Sequence, residues 1–516
     1  MVLTAFWVAQ WSASDRESAL LHTSPDGHQW SRARFEQLTA GLATDLLAAG
    51  YGPGRRVVVA LPATAAAVVT LVSILRAGAC VVPCDPRATV AQADEIVAVV
   101  NPDLVISEDA ADARWSDTSM ATPAQLRRRW QSAGEPVDRG KLDRSASDDL
   151  GLICLTSGTT GSSKAVPMTM GQLLAGMRSL VEIWDWTEQD VLISALPLHH
   201  VHGLVVAVGG SLTASSQLVL EASFDPQLVA RDAIDCGATM IFGVPTMWWR
   251  LERDGVVGRM PRLRLAVSGS APLDPALFAR LTAALGSPPV ERYGMTETLI
   301  LTSNPIDGPR KPGSVGLSLP GMKLRVADDG VIEVRGDTVM SGYLNRPEGE
   351  GFTDDGWFRT GDLGEFDSDG YLFLRGRASD LIISGGHNVH PAEVEAALAS
   401  VPGIAELAVA GLPDEQWGQV VAAFVVLGPA VAADPRRVDA TLAGLRSRAE
   451  AMTTHQQPRR WVVMASLPRN SMGKVVRVQL VRDQVVRDRV AQDPLVPGLP
   501  HVEGGEAHGS ADGRSR

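Results

Sequence analysis

The sequence predicts an α/β fold in three parts: a large N-terminal domain of mostly parallel sheets with helices, a small barrel-like β piece, and a small α+β C-terminal domain. The chain has 516 residues, more than the roughly 250–300 that one hydrophobic core usually serves, so at least two domains are expected. Short Val/Ile/Leu/Ala runs alternate with longer amphipathic stretches in the first part, which is typical of parallel strands joined by helical crossovers. After "SLPGMKLRV" the runs become shorter and alternate in polarity, with Asp-Gly turns that favour antiparallel pairing.

The N-terminal strands are predicted from near-continuous apolar runs, which indicate sheets buried on both faces. The stretch "SRARFEQLTAGLATDLLAAG" has the amphipathic pattern of a crossover helix. The uncharged run from Val57 to Leu75 approaches the ~20 residues that a membrane span needs, but Pro62 interrupts it, so a strand, a turn and a helix are predicted there, and no span. The predicted strands are "RVVVAL", "ACVVP", "DLVIS", "LGLICLTS", "VLISALPL", "ATMIFG" and "LRLAVSGS".

The pattern changes again after Arg377, and this predicts a domain boundary. The next hundred or so residues contain a helix that begins at Pro391 and the strands "AELAVAG", "VVAAFVVLG" and "RWVVMASL". The final residues are rich in Gly, Pro and Ser, a composition typical of disorder. The predicted domains are residues 1–377 and 378–490, followed by a disordered tail at 491–516.

Composition excludes several classes of function. The chain has 47 basic and 59 acidic residues, a net charge of −12, so no summed positive field attracts nucleic acid. The N-terminus lacks a basic region ahead of an apolar core, which predicts no export signal and a cytoplasmic protein. The cysteines lie in apolar runs without C-x-x-C pairs and are predicted to be buried thiols in a reducing compartment: Cys80, Cys84, Cys154 and Cys236.

The strongest local motif is "LTSGTTGSSKAV", directly after the apolar strand "LGLIC". Its two glycines let the backbone approach a ligand, its hydroxyls and amides suit a polyphosphate, and Lys164 adds a positive charge. The spacing of Gly158 and Gly161 does not fit the G-x-x-x-x-G-K-[ST] phosphate loop. A flexible surface loop of serine and glycine remains the alternative.

Three further motifs carry polar groups suited to a nucleotide. In "ERYGMTET", Tyr293 can stack on a base, Thr296 can bind a phosphate, and Glu297 can hold Mg²⁺ through oxygen. Asp362 lies in "RTGDLGEF" and suits a ribose diol, and Arg377 lies at the end of the strand that follows and suits an anionic oxygen. In isolation, "ERYGMTET" and "RTGDLGEF" also fit plain turns. The last motif, "LPRNSMGK", ends in Lys474, which in isolation is expected to lie in solvent.

Taken together and in this order, these motifs resemble the adenylate-forming superfamily of acyl-CoA synthetases, peptide-synthetase adenylation domains and luciferases. The resemblance covers about residues 5–485 and includes "GRASDLIISGGHNVHPAEVE". It implies ATP, Mg²⁺ and coenzyme A as ligands, and a small C-terminal domain that is mobile and rotates between two half-reactions. Gly386 would then line the pantetheine tunnel, and Lys474 would bridge the carboxylate and the α-phosphate.

The resemblance also implies a role for each remaining residue of the motifs. Thr296 would contact the α-phosphate, Glu297 would hold Mg²⁺, and Asp362 and Arg377 would bind the ribose and phosphate. The adenine pocket would consist of Gly269, Ser270, Ala271 and Tyr293. The β- and γ-phosphates would be held by Thr156, Ser157, Gly158, Thr159, Thr160, Gly161 and Lys164.

Within the superfamily, "HHVHGLVV" and "SGSAPL" are most similar to malonyl-CoA synthetases. That similarity implies that His200, Ser270 and Arg292 contact the substrate, with Arg292 pairing the distal carboxylate of a malonate-like acid. A structural pair between Arg292 and Glu291, or another nearby acid, is the alternative. A metal site at His199, His200 and His202 is disfavoured, because no acidic or cysteine partner stands at matching spacing. A bulkier acid is suggested instead by the apolar residues Trp248, Trp249, Leu299, Ile300 and Leu301.

Four departures from the superfamily pattern leave alternatives open. Ser163 and Ala165 replace the usual Pro and Gly, Met170 stands where His is usual, and Ser379 occupies the hinge. The leading hypothesis is a two-step acyl-CoA ligase for a small-molecule carboxylic acid. The alternatives are a ligase that only forms the thioester from an adenylate made by a partner enzyme, an enzyme that loads a carrier protein, and a non-catalytic nucleotide-binding protein on this fold.

Overall fold

A computed structural model describes residues 2–15, 17–24, 28–115, 118–125, 139–156, 164–469 and 475–492. The predicted phosphate-loop residues Ser157, Gly158, Thr159, Thr160 and Gly161 lie outside the described residues, as do Ser163, Lys474 and the predicted tail from residue 493. The chain divides into two compact units. Unit 1 is Met1–Thr360 with Gly364–Leu374, and unit 2 is Gly361–Leu363 with Arg375–Arg516.

The strands follow one another along the described chain in this order: β1 Ala19–Ser24, β2 His28–Ser31, β3 Arg56–Ala60, β4 Cys80–Pro83, β5 Leu104–Ser107, β6 Met120–Ala121, β7 Leu150–Thr156, β8 Lys164–Thr169, β9 Val191–Ser194, β10 Gln217–Glu221, β11 Met240–Gly243, β12 Leu265–Ser268, β13 Val290–Met295, β14 Leu299–Ser303, β15 Ser314–Ser318, β16 Met322–Val326, β17 Val331–Gly336, β18 Phe358–Phe366, β19 Leu372–Arg377, β20 Ile382–Ser384, β21 His387–Val389, β22 Ile404–Asp414, β23 Gly418–Leu427 and β24 Arg460–Met464. Within the described residues, the helices of four or more residues are α1 Leu3–Ala13, α2 Arg32–Ala48, α3 Ala65–Arg76, α4 Val90–Val100, α5 Met170–Ile183, a π-helix at His202–Gly209, α6 Gly210–Ala214, α7 Pro226–Asp235, α8 Pro245–Arg253, α9 Pro275–Leu285, α10 Pro391–Leu398, α11 Pro429–Ala432, α12 Pro435–Glu450 and α13 Arg477–Gln492.

The larger sheet of unit 1 has the order β16-β17-β18-β19-β15-β14-β13-β12-β11-β9-β10-β1-β2. Its segment from β1 through β10, β9, β11 and β12 to β13 is parallel throughout. Strands β14 to β19, of which β16 to β19 lie in the region predicted to contain shorter strands, extend the same sheet with antiparallel pairings such as β13 with β14 and β16 with β17. The α/β prediction is therefore confirmed, and the antiparallel part is hydrogen-bonded to the parallel part.

The second sheet of unit 1 has the order β6-β5-β3-β4-β7-β8, and its pairs are parallel except β7 with β8. All seven strands predicted from apolar runs are confirmed, as are helices α2 and α3. Ser31 and Thr64 cap these two helices by accepting hydrogen bonds from Arg34 N and Ala67 N. None of the described helices combines the length and apolar character that crossing a bilayer requires.

Unit 2 contains the sheet β21-β20-β23-β22, with β24 parallel to β23. The helix predicted to begin at Pro391 and the three predicted strands are confirmed. Helix α10 and helix α12 bury Val394, Leu398 and Leu445 against the strands. Unit 2 thus has a hydrophobic core of its own, as a separately folding domain requires.

The four cysteines are free thiols. Cys80, Cys84 and Cys154 are buried as predicted, and burial raises the pKa of each to about 12. Cys236 is half-buried, with Sγ 3.3 Å from Nδ1 of His22.

Candidate active site

The candidate site of unit 1 forms at the carboxyl ends of parallel strands in the larger sheet. His199–His202 follow β9, Gly269–Ala271 follow β12, and Arg292–Glu297 begin within β13 and continue past its end. Because these strands are parallel, the segments that follow them emerge at one edge. That edge is where open α/β sheets usually bind ligands.

Arg292 is a buried guanidinium without a counter-ion among the described residues. Its side chain is 5% exposed, and neither Nε nor Nη2 has a hydrogen-bond partner there. It lies against Gly269 so closely that a Cβ on that glycine would be 2.4 Å from Arg292 Cζ. Burial lowers the pKa of Arg292 to about 10, which leaves it charged at neutral pH.

The alternative pairing of Arg292 with Glu291 is wrong. Adjacent residues of a strand point to opposite faces, and the carboxylate of Glu291 accepts hydrogen bonds from Leu273 N at 3.2 Å and Gly313 N at 3.3 Å. Burial raises the pKa of Glu291 to about 7. Arg292 is therefore free to face a ligand on its own side of the sheet.

His202, Ser270 and Ser268 bring further polar atoms to the neighbourhood of Arg292. His202 Nδ1 is 3.3 Å from Ser270 Oγ, and among the described residues His202 Nε2 and Ser268 Oγ have no partner. Burial, followed by the charge of Arg292, lowers the pKa of His202 well below its usual range, so its ring is neutral. Ser270 has the left-handed φ of 70°, uncommon for a non-glycine residue. These groups suit an anion with more than one oxygen.

His200 lies on the loop after β9, and its ring is tilted by 54° against that of its neighbour His199, with ring centroids 4.3 Å apart. His199 Nε2 is 3.6 Å from Asp85 Oδ2, and Asp85 follows β4 of the other sheet. Burial, with a smaller effect of His199, lowers the pKa of His200 to about 4. His200 is therefore neutral at physiological pH and can act as a hydrogen-bonding group.

The "ERYGMTET" motif places its predicted nucleotide groups at the end of β13. Tyr293 and Glu297 are buried, and Thr296 is partly exposed. Tyr343, which the sequence did not single out, donates a hydrogen bond from its hydroxyl to Glu297 Oε1 at 3.0 Å. Glu297 is thus a buried, oriented carboxylate, and its oxygens suit Mg²⁺.

Lys164, predicted as the charge of the phosphate loop, begins β8 and forms an ion pair with Glu350 at 2.8 Å. Its ammonium also lies 4.4 Å from the centroid of the Tyr343 ring. Thr156 ends β7 on the other side of the loop and donates from Oγ1 to Lys164 O at 3.4 Å. Thr156 and Lys164 are therefore brought together, whereas Glu350 was not predicted.

Asp362 and Arg377 belong to unit 2 and form an ion pair, with Nε of Arg377 2.7 Å from Oδ1 of Asp362. Asp362 is buried, and Arg377 ends β19. Gly386 lies in the turn between β20 and β21, where Gly385 and Gly386 have φ of 57° and 81°. Two positive φ values in a two-residue hairpin turn explain the need for glycine at both positions.

Four of the five apolar residues that suggested a bulkier acid are buried in the core. Trp248 is fully buried and donates to Val267 O at 2.9 Å, and Trp249 is 45% exposed beneath the guanidinium of Arg253. Leu299, Ile300 and Leu301 are buried in β14. Trp249 lies outside the core, and the bulkier acid that these residues suggested stays a prediction.

Two of the departures from the superfamily pattern have a structural explanation. Ala165 is buried in β8, where its carbonyl accepts from Leu344 N at 2.9 Å. Met170 begins α5 and fills the space above Gly151, whose Cβ, if present, would be 2.9 Å from the Met170 sulfur. Ser379 lies in a short 3₁₀ turn beside Asp380.

Comparisons with known proteins agree with this architecture. The AMP-binding enzyme family matches residues 8–344, and the AMP-binding enzyme C-terminal domain matches residues 393–474. Sulfoacetate–CoA ligase of Cupriavidus necator is 32% identical over 508 residues, 93% of this chain and 96% of that protein. Malonate–CoA ligase of Arabidopsis thaliana is 36% identical over 369 residues, 64% of this chain and 60% of that protein.

Among solved structures, ATP-bound MatB from Rhodopseudomonas palustris has a TM-score of 0.85 at 33% identity, and the match covers 94% of this chain and 99% of that one. The resemblance to adenylate-forming enzymes is confirmed. This protein is a member of the AMP-binding enzyme family.

Proposed function

We propose that this AMP-forming acid–CoA ligase activates a small carboxylic acid that carries a second anionic group. Its other ligands are ATP, Mg²⁺ and coenzyme A, in keeping with its relatives. The single observation that carries the substrate class is the buried guanidinium of Arg292 without a counter-ion among the described residues.

A buried charge without a partner is costly, and proteins rarely keep one without a use for it. A carboxylate or sulfonate supplies two or three oxygens in the geometry that a guanidinium binds best. Neutral His202 and the hydroxyl of Ser270 add hydrogen-bonding atoms beside it. An acid with one carboxylate to activate and a second anionic group for Arg292 therefore satisfies this site.

Two relatives act on acids of this description. They are the malonate and sulfoacetate ligases, and each of these acids carries one carboxylate and a second acidic group. The second group differs between them, being a carboxylate in one and a sulfonate in the other. This comparison supports the class of substrate for the present chain and leaves the choice of acid to experiment.

The reaction that we propose has two steps. A carboxylate oxygen of the acid attacks the α-phosphorus of ATP, the bond to the bridging oxygen breaks, and pyrophosphate leaves. The thiol of coenzyme A then loses its proton and attacks the acyl carbon, and AMP leaves with the bonding electrons. Because the first step joins two anions, charge neutralisation and alignment supply most of the catalysis.

The residues predicted for these steps keep their roles within the proposal. Thr296 would bind the α-phosphate, Tyr293 would contact the adenine with Gly269, Ser270 and Ala271, and His200 would help to hold the acid. Glu297 would hold Mg²⁺, which neutralises phosphate charge. Thr156–Gly161 and Lys164 would bind the phosphates, and Asp362 with Arg377 would bind the ribose. Gly386 would line the path of the thiol, and Lys474 would bridge the carboxylate and the α-phosphate.

The test is pyrophosphate release with ATP, Mg²⁺ and coenzyme A, combined with mass spectrometry of the thioester. The matched pair of acids is malonate and its monomethyl ester, which keeps the shape but removes the second charge. We expect a kcat/KM at least about 100-fold higher for malonate or sulfoacetate than for the ester or propionate. Equal values for malonate and its ester would refute the dianion proposal. Thioester formation only from supplied acyl-adenylates would instead identify a ligase that lacks the first step.

A further inference from the structure

Lys164 already has an anionic partner in this structure. Its ammonium is 2.8 Å from Glu350 Oε1, and the two side chains are 26% and 30% exposed. The residues are 186 positions apart in the sequence, so the pair connects the beginning of β8 to a distant loop. The carboxylate of Glu350 therefore lies next to the ammonium of Lys164, which is the positive charge predicted for the phosphate loop.

The loop that carries Glu350 is built to hold that side chain in place. Gly349 and Gly351, on either side of Glu350, have φ of 79° and 88°, which favour glycine. The backbone of the same loop is fastened to β8 by the hydrogen bond from Leu344 N to Ala165 O at 2.9 Å. The backbone conformation of this turn therefore places the Glu350 side chain beside Lys164.

Tyr343 belongs to the same loop and touches two predicted nucleotide groups. Its ring lies under the ammonium of Lys164 at 4.4 Å, and its hydroxyl donates to Glu297 at 3.0 Å. One loop therefore contacts both the residue predicted for the β- and γ-phosphates and the residue predicted for Mg²⁺.

We infer that Glu350 is a positioning residue whose carboxylate takes the place of the ATP triphosphate beside Lys164. Binding of the triphosphate must then displace this carboxylate. The inference rests on the proposed function, in which Lys164 contacts the β- and γ-phosphates. Phosphate oxygens and the Glu350 carboxylate are both anionic, so they repel each other when they approach the same ammonium. Before ATP binds, the ion pair keeps Lys164 oriented. It weakens triphosphate binding in proportion to the fraction of molecules in which the ion pair is formed.

The expected effect is moderate, because a partly exposed ion pair is weak. Replacing Glu350 by Gln should lower the Kd for a non-hydrolysable, Mg²⁺-bound ATP analogue by about 1.5- to 5-fold. The KM for ATP should fall in the same proportion, with kcat within about 2-fold. AMP lacks the β- and γ-phosphates, so its Kd should stay unchanged.

The matched control is Glu348→Gln, which removes the same charge from an exposed position of the same loop. Calorimetric titration of the whole chain with the ATP analogue and with AMP would compare Glu350→Gln, Glu348→Gln and the wild type. Tightening that is confined to Glu350→Gln and to the triphosphate supports the inference. In a Lys164→Met background, Glu350→Gln should then have no effect on the Kd of the triphosphate.

Two results would overturn the inference alone: equal behaviour of Glu350→Gln and Glu348→Gln, or equal tightening of ATP analogue and AMP. A third result, a wild-type protein that binds neither nucleotide, would overturn the proposed function as well. The two failures are therefore distinguishable in one set of titrations.

Discussion

Arg76 and Arg292 are both buried arginines of unit 1, with 2% and 5% of their surface exposed, yet their surroundings are opposite. Arg76, at the end of α3, forms ion pairs with Glu36 at 3.2 Å and Asp143 at 3.0 Å, and donates to Thr39 Oγ1 at 2.9 Å. Arg292 has no partner for Nε or Nη2 among the described residues. The difference separates a charge that is paired within the fold from one that, in the proposed function, binds an anionic ligand.

Burial alone therefore does not identify a functional arginine. The cost of burying a charge is offset by ion pairs inside the protein at Arg76, and at Arg292 we propose that a bound anion offsets it. Variants that remove each guanidinium should have opposite effects on stability and on activity, and this is the sharpest test of the comparison.

The largest expected effect is on stability, from Arg76→Met. This change leaves Asp143 without its ion-pair partner and removes one of the partners of Glu36, so we expect the free energy of unfolding to fall by about 3–5 kcal/mol. Urea denaturation followed by fluorescence would measure it. Arg55→Met is the matched control, because Arg55 pairs with Asp103 at an exposed site, and it should cost about 0–1 kcal/mol. Equal losses for the two variants would refute the structural role of Arg76.

The next effect is on activity, from Arg292→Met. This change should lower kcat/KM for a dianionic acid by about 100-fold or more, because the second anionic group loses its counter-charge. The same variant should keep its stability or gain some, since an uncompensated buried charge is replaced by an apolar side chain. Steady-state kinetics with malonate and with its monomethyl ester, beside urea denaturation, would measure both.

The outcome that contradicts the role of Arg292 is a loss of stability like that expected for Arg76→Met. Equal losses of kcat/KM for the diacid and the ester would also contradict it. Either result would place Arg292 in the same class as Arg76.

The smallest effect concerns Glu221, a buried acidic residue that extends the comparison to carboxyl groups. Neither of its carboxylate oxygens has a partner among the described residues, and burial, with nearby Asp232, raises its pKa from 4.5 to about 8. A carboxyl whose pKa is higher in the folded state stabilises the fold below the unfolded pKa and loses that contribution as pH rises from about 4.5 to about 8. Glu221→Gln should therefore stabilise the protein by about 1–3 kcal/mol at pH 9 and have little effect at pH 4.5.

Urea denaturation at several values between pH 4.5 and 9 would test this prediction. Asp235→Asn is the matched control, because it removes an exposed acid at the end of α7, the helix that also carries Asp232. A stability difference between Glu221→Gln and the wild type that does not change with pH would refute the buried-acid account.

The sequence predicted the strands and the placement of the motifs well because both depend on local pattern. Apolar runs predict buried parallel strands, and polar groups after such strands meet at one sheet edge. The substrate contacts of His200, Ser270 and Arg292 were instead inferred from the similarity to malonyl-CoA synthetases, and all three residues lie on segments at that edge. Whether Arg292 paired with Glu291 could not be decided from the sequence, since it depends on which backbone amides, those of Leu273 and Gly313, reach the Glu291 carboxylate.

The sequence failed where a role depends on distant contacts. The sequence alone did not show that Trp248 and Leu299 pack in two different hydrophobic clusters of the core. Glu350 and Tyr343 were missed because their partners, Lys164 and Glu297, are far away in the chain and no spacing rule connects them. The roles of Ser157–Gly161 and Lys474 remain predictions from the motifs.

The backbone of Gly269 and Ser270 also restricts how this enzyme can evolve. Any side chain on Gly269 would collide with the guanidinium of Arg292, and the φ of 70° at Ser270 strains a β-branched replacement. Two consecutive positions of the pocket wall are therefore closed to most single substitutions. Selection for a new acid should then enrich changes on the His199–His202 loop or at Arg292 itself, and lineages that keep Arg292 should keep Gly269 with it.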